Sequence, residues 1–504
     1  MALKQKCLNW LFNSCMQKRI IVIGAGFAGL ASASILAKQG FKVTILEKND
    51  QAGGRARTWE KDGFKFDMVP SWYWMPDIFE NYFAIFNKKP ADFYNLKRLD
   101  PSYRIYYGEG DCLDIPASMP ELEQVFEQVE PGSAKKLRKF LQQAEYKYRV
   151  GMGEYVFRPS HSVKEYIDFN LLRKSIGMQL LSNMGGHIRK YFKHPKLIQL
   201  LEFPVLFLGA APQKTPAMYS MMNYADLVLG TWYPEGGMNE IVKAMVKICQ
   251  EYDVDIQLET EVTNVLVEKG RASRVLTSKG ELETDFVVAG ADYNHVDQQL
   301  IDKRYRNYTP QYWDKRTLSP SCILFYIGLN KKVDNLLHHN LFFDEDFDRH
   351  AASIYTHKQW PAKPLFYVSC TSKTDQGVAP VGGENLFFLA PVAPGLKDRE
   401  AIREHYFDLM IDRFERITGS AIRDAIVVKR SYAVNDFIGD YHAFKGNAYG
   451  LANTLKQTAF LKPAMRAHKI KNMLYTGQLT VPGPGVPPAL ISGQIAAAEV
   501  IKYF

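Results

Sequence analysis

Residues 19–23 (RIIVI) form a continuous apolar run of strand length, as a buried parallel strand does. Residues 24–29 (GAGFAG) follow. Residues 30–38 (LASASILAK) then show helical spacing, with Leu30, Ala33, Leu36 and Ala37 on one face. Gly40 stops that helix, and residues 42–47 (KVTILE) read as a second strand. Such a unit commits the chain to a parallel α/β layer. Gly24, Gly26 and Gly29 make a G-x-G-x-x-G turn between strand and helix. The first glycine permits the tight turn, the second lets backbone approach a pyrophosphate, and the third lets the helix pack close to the strand. The helix N-terminus offers unpaired N–H groups to the phosphates. Glu47 ends the second strand about 20 residues on, where an acid accepts hydrogen bonds from a ribose hydroxyl. Strand, triplet, helix, strand and acid agree on a dinucleotide site.

The next residues bear on which dinucleotide. Gly53-Gly54-Arg55 follows the second strand, with Arg57 and Thr58 behind it. A second glycine pair lets the chain pass close to a longer ligand, and Arg55 can neutralise phosphate charge. A solvated turn is the bland reading of Arg55 and Arg57. Residues 22–58 resemble the FAD-binding opening motif shared by amine oxidases, protoporphyrinogen oxidases, carotenoid desaturases and the flavin-free Rab GDP-dissociation inhibitors. FAD is what that resemblance implies. At the other end, residues 474–477 read as strand into turn, and 482–488 (PGPGVPP) lead into a last helix near 491–502. Proline-fixed turns and glycines let backbone lie against a flat ring, and a helix N-terminus there stabilises negative charge on it. Val262, Gly477, Gly485 and Val486 complete the candidate cofactor set with Gly24, Gly26, Gly29, Glu47, Gly53, Gly54 and Arg55.

The chain reads as α/β, a discontinuous Rossmann-like FAD-binding domain with an inserted α+β substrate domain. The expected cofactor pieces are 19–90, 230–300 and 465–504, and the expected substrate pieces are 91–229, helical and membrane-associating, and 301–464. Apolar residues at 46% and charged residues at 23% suit a large buried core and exclude a disordered chain, a collagen or a small disulfide scaffold. A net charge of +9 is modest for 504 residues and favours a soluble basic enzyme over a nucleic-acid binder. Six scattered cysteines with no C-x-x-C pair indicate neither zinc nor a disulfide framework, and a reducing compartment is expected. No run of about 18 uncharged apolar residues occurs, so no spanning helix is expected. The first 18 residues, with Lys4, Lys6 and a short apolar patch at 10–12, do not read as a secretory signal. A frayed or mis-started terminus is preferred to a weak interfacial anchor, since Met16 could equally open the chain.

Several stretches resemble the bacterial phytoene desaturase family: Phe66-Asp67, residues 70–76 (PSWYWMP), 99–104 (LDPSYR), 320–322, 338–343 (HHNLFF), 389–394 (LAPVAP) and 476–493 (TGQLTVPGPGVPPALISG). The resemblance runs from about residue 19 to the end. Val69, Leu479 and Val481 depart from the family pattern near the expected flavin. The resemblance implies an FAD-dependent carotenoid desaturase, most simply one converting phytoene to lycopene, peripheral to the cytoplasmic membrane, with a quinone or oxygen as electron acceptor. A desaturase of a hydroxylated carotenoid end and a carotenoid isomerase stay open within the class. A flavin amine or porphyrinogen oxidase and a flavin-free prenyl-binding protein are the readings from other classes.

A C40 polyene has no polar handle, so binding must come from buried apolar area. Trp72, Tyr73 and Trp74 are the candidate substrate-lining residues because they follow the flavin motif directly. Desaturation removes a hydride and a proton, and a flavin is a natural hydride acceptor. Glu145 and Arg149, four apart on a predicted helix, are weak catalytic candidates against the reading of a surface ion pair. His338 and His339 read as structural. Residues 171–201 carry Arg173, Lys174, Arg189, Lys190, Lys193 and Lys196 among Leu171, Leu172, Leu180, Leu181, Ile188, Tyr191, Phe192, Leu197 and Ile198. That composition suits an anionic membrane surface or, equally, a basic solvated face over the core.

Overall fold

A computed structural model describes residues 17–166, 177–179, 182–207, 211–454 and 456–504. The N-terminal features read above up to Met16, and Leu171, Leu172, Arg173, Lys174, Leu180 and Leu181, lie outside the described residues.

The opening unit folds as β1 (Arg19–Ile23), α1 (Phe27–Lys38) and β2 (Lys42–Leu46). α2 (Asn239–Glu251), β3 (Asp255–Gln257), β4 (Phe286–Ala289), β5 (Met473–Tyr475) and α3 (Val486–Tyr503) complete this body. Its sheet is five-stranded and parallel, in the order β5-β4-β1-β2-β3. α1 is buried nearly all round because α2 and α3 flank it, so its sequence is apolar on every side rather than striped. Gly493 of α3 sits so close to α1 that a Cβ there would lie 2.3 Å from Ala28 O.

α3 starts at Val486, ahead of the 491 expected from sequence. Pro487 and Pro488 occupy its first turn, where a missing N–H costs nothing, so the prolines open the helix instead of delaying it.

A seven-stranded mixed sheet forms the second body. Its strands run Ile426–Tyr432, Ser321–Leu329, Glu384–Val392, Phe366–Ser369, His339–Phe342, Tyr103–Gly108 and Asp111–Ile115 across the sheet. The strands Ser321–Leu329 and Glu384–Val392 are buried at every position, because apolar layers cover both faces. The last two strands of the row come from the stretch expected to be helical; Gly108 to Asp111 turns that hairpin. A second hairpin, Thr58–Lys61 with Phe64–Asp67, lies within the first cofactor piece of the sequence reading, yet Phe64 and Phe66 pack into the second core beside Tyr326.

In the described part of 171–201, Ile188, Phe192 and Leu197 are fully buried, so these apolar residues face the core. Arg189 pairs with Glu202, and Lys196 with Asp111 at 2.5 Å. Among the described residues no helix is long and apolar enough to cross a membrane, and no cluster of three or more His, Cys, Asp or Glu could hold a metal ion.

Candidate active site

A cavity of about 340 Å3 lies between the two bodies. At its polar end stand Gly24 and Gly26 of the first turn, Glu47, Gly53, Gly54 and Arg55, then Val262, Gly477, Gly485 and Val486. Three distant stretches of chain therefore meet there, because β1, β4 and β5 end side by side.

Gly29 does not line the cavity. It lies in the first turn of α1, where a Cβ would fall 1.9 Å from Gly24 O, so its absence of side chain sets the helix against the turn. Gly26 is the opposite case: a Cβ there would meet nothing within 4 Å of protein, so its bare backbone faces open space. The α1 N-terminus beside it has no side-chain cap and no acid in its first turn. α3 likewise begins at Gly485 with no side-chain cap. The α1 end leaves the N–H groups of its first turn free, whereas in the first turn of α3 only Val486 offers one, since Pro487 and Pro488 have none; both ends carry partial positive charge.

Glu47 accepts from the Ala25 N–H through Oε2 at 2.8 Å and from the Asn49 N–H through Oε1 at 3.0 Å. A carboxylate has further lone pairs, so it holds the glycine turn and can still accept from a ligand hydroxyl. Arg55 donates from Nη2 to Asn447 O at 3.1 Å and stacks over Tyr441 at 5.0 Å. With its amide oxygen turned toward Arg55, Gln478 accepts from Nη2 at 2.9 Å and Nη1 at 3.1 Å. The buried Nε has no partner. Burial pulls the guanidinium pKa below its ordinary value, against the pull of Asp292, and the group stays charged. An under-partnered guanidinium beside two open helix N-termini and a bare glycine fits a diphosphate.

Sequence reasoning missed several residues of this end. Asp292 accepts from the Phe444 N–H at 3.1 Å and the His295 N–H at 3.2 Å, and burial raises its pKa. His295 and His442 stack at 3.9 Å, and His442 contacts Glu261 at 2.7 Å. All four line the cavity. The only signal for Asp292 was its place just after the strand at 286–289; nothing local marked the histidines.

The cavity continues into an apolar end formed by Val69, Pro70, Ser71, Trp72, Trp74, Met75, Pro204, Met222, Tyr367, Leu389, Ala448 and Tyr449, none of them charged. Trp72 stacks on His339 at 4.1 Å and 10°, and the Trp74 indole N–H donates to Thr231 Oγ1 at 2.8 Å. Tyr73 points away: its hydroxyl meets that of Tyr94 at 3.0 Å inside the first core, and it does not line the cavity. Alternation along an extended segment sends neighbours to opposite sides. Glu145 and Arg149 pair with each other at 2.7 Å, with side chains 35% and 74% exposed, outside this cavity. His338 and His339 are buried, His338 on Thr374 at 2.8 Å and His339 on the Tyr367 hydroxyl at 2.6 Å. Burial pushes the pKa of His338 down to about 3 and that of His339 well below its ordinary value, so both rings are neutral at pH 7.

Comparison with known proteins agrees with this geometry. The family model for flavin containing amine oxidoreductase matches residues 27–501. A carotenoid 3,4-desaturase of Haloarcula japonica is 41% identical over 485 residues, covering 96% of this chain and 98% of the relative. A zeta-carotene-forming phytoene desaturase of Myxococcus xanthus is 29% identical, covering 97% and 95%. Among solved structures, putrescine oxidase bound to putrescine superposes with a TM-score of 0.59 at 14% identity, covering 96% of this chain and 99% of that one. A fatty acid isomerase from P. acnes that produces CLA gives 0.60 at 15%, covering 97% and 99%. These last two share the fold. Taken with the diphosphate cradle and the full-length likeness, the chain belongs to the flavin containing amine oxidoreductase family, among its carotenoid desaturases, and its cofactor is FAD.

Proposed function

We propose that this protein desaturates a carotenoid at its 3,4 bond. The observation that carries this reading is the continuity of one cavity, which runs from the diphosphate cradle into an uncharged aromatic end without a wall between them. A ligand with no polar handle suits that end. The choice of bond rests on the 41% likeness to a carotenoid 3,4-desaturase. Conversion of phytoene to lycopene is the second reading, favoured by the 29% likeness to a phytoene desaturase over nearly the whole chain.

FAD, when bound, accepts a hydride from the substrate. The rest is the work of this chain's residues. Gly26 and the α1 N-terminus receive the diphosphate, and Arg55 neutralises it. Glu47 fixes the ribose while steadying the turn through Ala25 N–H. The α3 N-terminus at Val486 directs partial positive charge into the cavity. Trp72, Trp74, Met75 and Leu389 exclude water and hold the chain by contact area.

Truncation of Arg55 to Met (Arg55→Met) removes one partner of a buried charge contact, and the Kd for FAD should rise by about 30-fold or more, the about 2 kcal/mol such losses cost at least. Titration of the apoprotein by flavin fluorescence reads it. Trp72→Ala should lower kcat/KM for the carotenoid by roughly 10- to 30-fold, as loss of an aromatic anchor does. Steady-state assays with detergent-dispersed substrate test that.

The deciding experiment offers phytoene and lycopene separately to the FAD-loaded protein and resolves the pigments by chromatography. A longer chromophore formed from lycopene supports 3,4-desaturation. Consumption of phytoene alone transfers the assignment to the second reading. No change in either pigment removes both. Such substrates reside in bilayers, so we further propose peripheral attachment to an anionic cytoplasmic membrane, with a quinone or oxygen reoxidising the flavin. Co-sedimentation with anionic and neutral vesicles tests the attachment.

A further inference from the structure

Beside the apolar end lies a small void of about 10 Å3, lined by Asp67, Ser71, Ser369, Thr371 and Asn385 between the rings of Phe66 and Phe387. Ser71 lines both this void and the cavity. The volume is that of about one water, and a buried water needs two to four polar partners. Those partners are present. Asp67 accepts from the Met238 N–H through Oδ2 at 3.0 Å, while its buried Oδ1 has no partner. Ser369 is 2% exposed, and its Oγ has no neighbouring polar group but the Tyr367 hydroxyl. Thr371 Oγ1 accepts from Asn385 Nδ2 at 2.7 Å and keeps its own proton to give. Tyr367, held by His339, faces the Ser71 and Ser369 hydroxyls from the cavity side.

Asp67 thus borders the void with one carboxylate oxygen that no hydrogen bond occupies. We propose that a water in this void and Asp67 take up the proton released by desaturation, with Ser71 as the link to the cavity. The inference rests on the desaturase reading. Two C–H bonds on adjacent carbons break. One hydrogen leaves with its electron pair as hydride to the oxidised flavin, which gains the two electrons the substrate loses. The other leaves as a proton to Ser71 Oγ. Ser71 passes its own proton to the water, and the water passes one to the Asp67 carboxylate. The electron pair left on carbon becomes the second bond of the new C=C.

The surroundings suit a proton acceptor. Burial raises the Asp67 pKa to about 6, against the Met238 N–H and Lys65. The titratable groups facing it are Lys65 on its own strand, Glu240 of α2, Tyr233 and Tyr367. Lys65 and Glu240 offset each other at 3.6 Å. Acting through Ser71, Asp67 is a relay terminus and does not touch substrate.

Asp67→Asn keeps an oxygen for the Met238 N–H and cannot take a proton. In FAD-loaded protein the wild-type rate of flavin reduction by carotenoid should fall as pH drops through about 6. The Asn variant should be roughly 100-fold slower, the lower bound for a lost general base, and should lack that limb. Ser71→Ala should slow the same step. An infrared difference titration should show a carboxyl band appearing near pH 6 in the wild type and absent from the Asn variant. Wild-type rate and pH limb in Asp67→Asn would overturn the proposal, as would an Asp67 that stays ionised throughout the titration. If Asp67→Asn fails to fold, Ser71→Ala decides: an unchanged rate and pH limb overturns the relay. If no carotenoid reduces the wild-type flavin, the desaturase reading fails by itself, and the infrared titration still rules on Asp67.

Discussion

Gly29→Ala should yield a protein that purifies without flavin and is destabilised by about 3 kcal/mol or more. A Cβ at this position would lie 1.9 Å from Gly24 O and 3.1 Å from Gly24 C. The clash is with backbone, so no side chain can swing aside. Gly24 has no room to retreat either: its N–H donates to Leu46 O at 2.8 Å, tying the turn to β2. α1 must therefore lift off β1, and the cradle opens. Gly26→Ala provides the contrast. Gly26 has φ −75° and ψ 178°, which any residue adopts, and its added methyl meets no protein atom. That variant should keep its helical circular dichroism and lose flavin alone, because the methyl occupies space meant for the diphosphate. Visible absorbance and thermal melts of the two proteins separate a folding loss from a binding loss.

Asp344→Ala should cost about 3–5 kcal/mol of stability, the range for breaking a buried pair. Arg413 donates to both oxygens of Asp344, one contact at 3.1 Å, and its Nη1 donates to Pro364 O at 2.5 Å. The two side chains are only 9% and 5% exposed. Arg413 also lies over the Phe366 ring at 5.0 Å, so it joins the helix Glu400–Thr418 to the strand Phe366–Ser369. Without the carboxylate, a guanidinium stays buried with one carbonyl for company. Replacing both partners together, Asp344→Leu with Arg413→Met, should recover much of the loss, since packed apolar groups often equal a buried pair. Denaturant melts of the three variants test the coupling. Neither residue lines the cavity, so residual folded protein should still bind FAD.

The unit β1-α1-β2 was legible because a few contiguous residues carry its information. The glycine triplet and the apolar run do not depend on distant contacts to be recognised. Glu47, Arg55 and Val486 came with it, since each sits at a fixed point of that pattern or of its C-terminal counterpart, and all three now line one cavity. The start of α3 departs from the sequence expectation for a local reason: a double proline looks like a turn unless it falls in the first helical turn. Sequence proximity groups Tyr73 with Trp72 and Trp74, but period-two alternation separates it from both. Asp292, His295, Tyr441 and His442 were not legible, because they become neighbours only when β4 and the segment near 441 are brought together. The void beside Asp67 has the same origin. Its wall is assembled from a hairpin, a loop, a short helical turn and two strands of the large sheet, so no window of sequence contains it.

Anaerobic mixing of the FAD-loaded protein with a carotenoid, followed by simultaneous absorbance of flavin and polyene, joins the cavity to its chemistry in one trace. The oxidised-flavin band should bleach at the rate at which a longer chromophore appears, one double bond gained per flavin reduced. A flavin that stays oxidised beside an unchanged polyene, or a polypeptide that takes up no FAD at all, would contradict it.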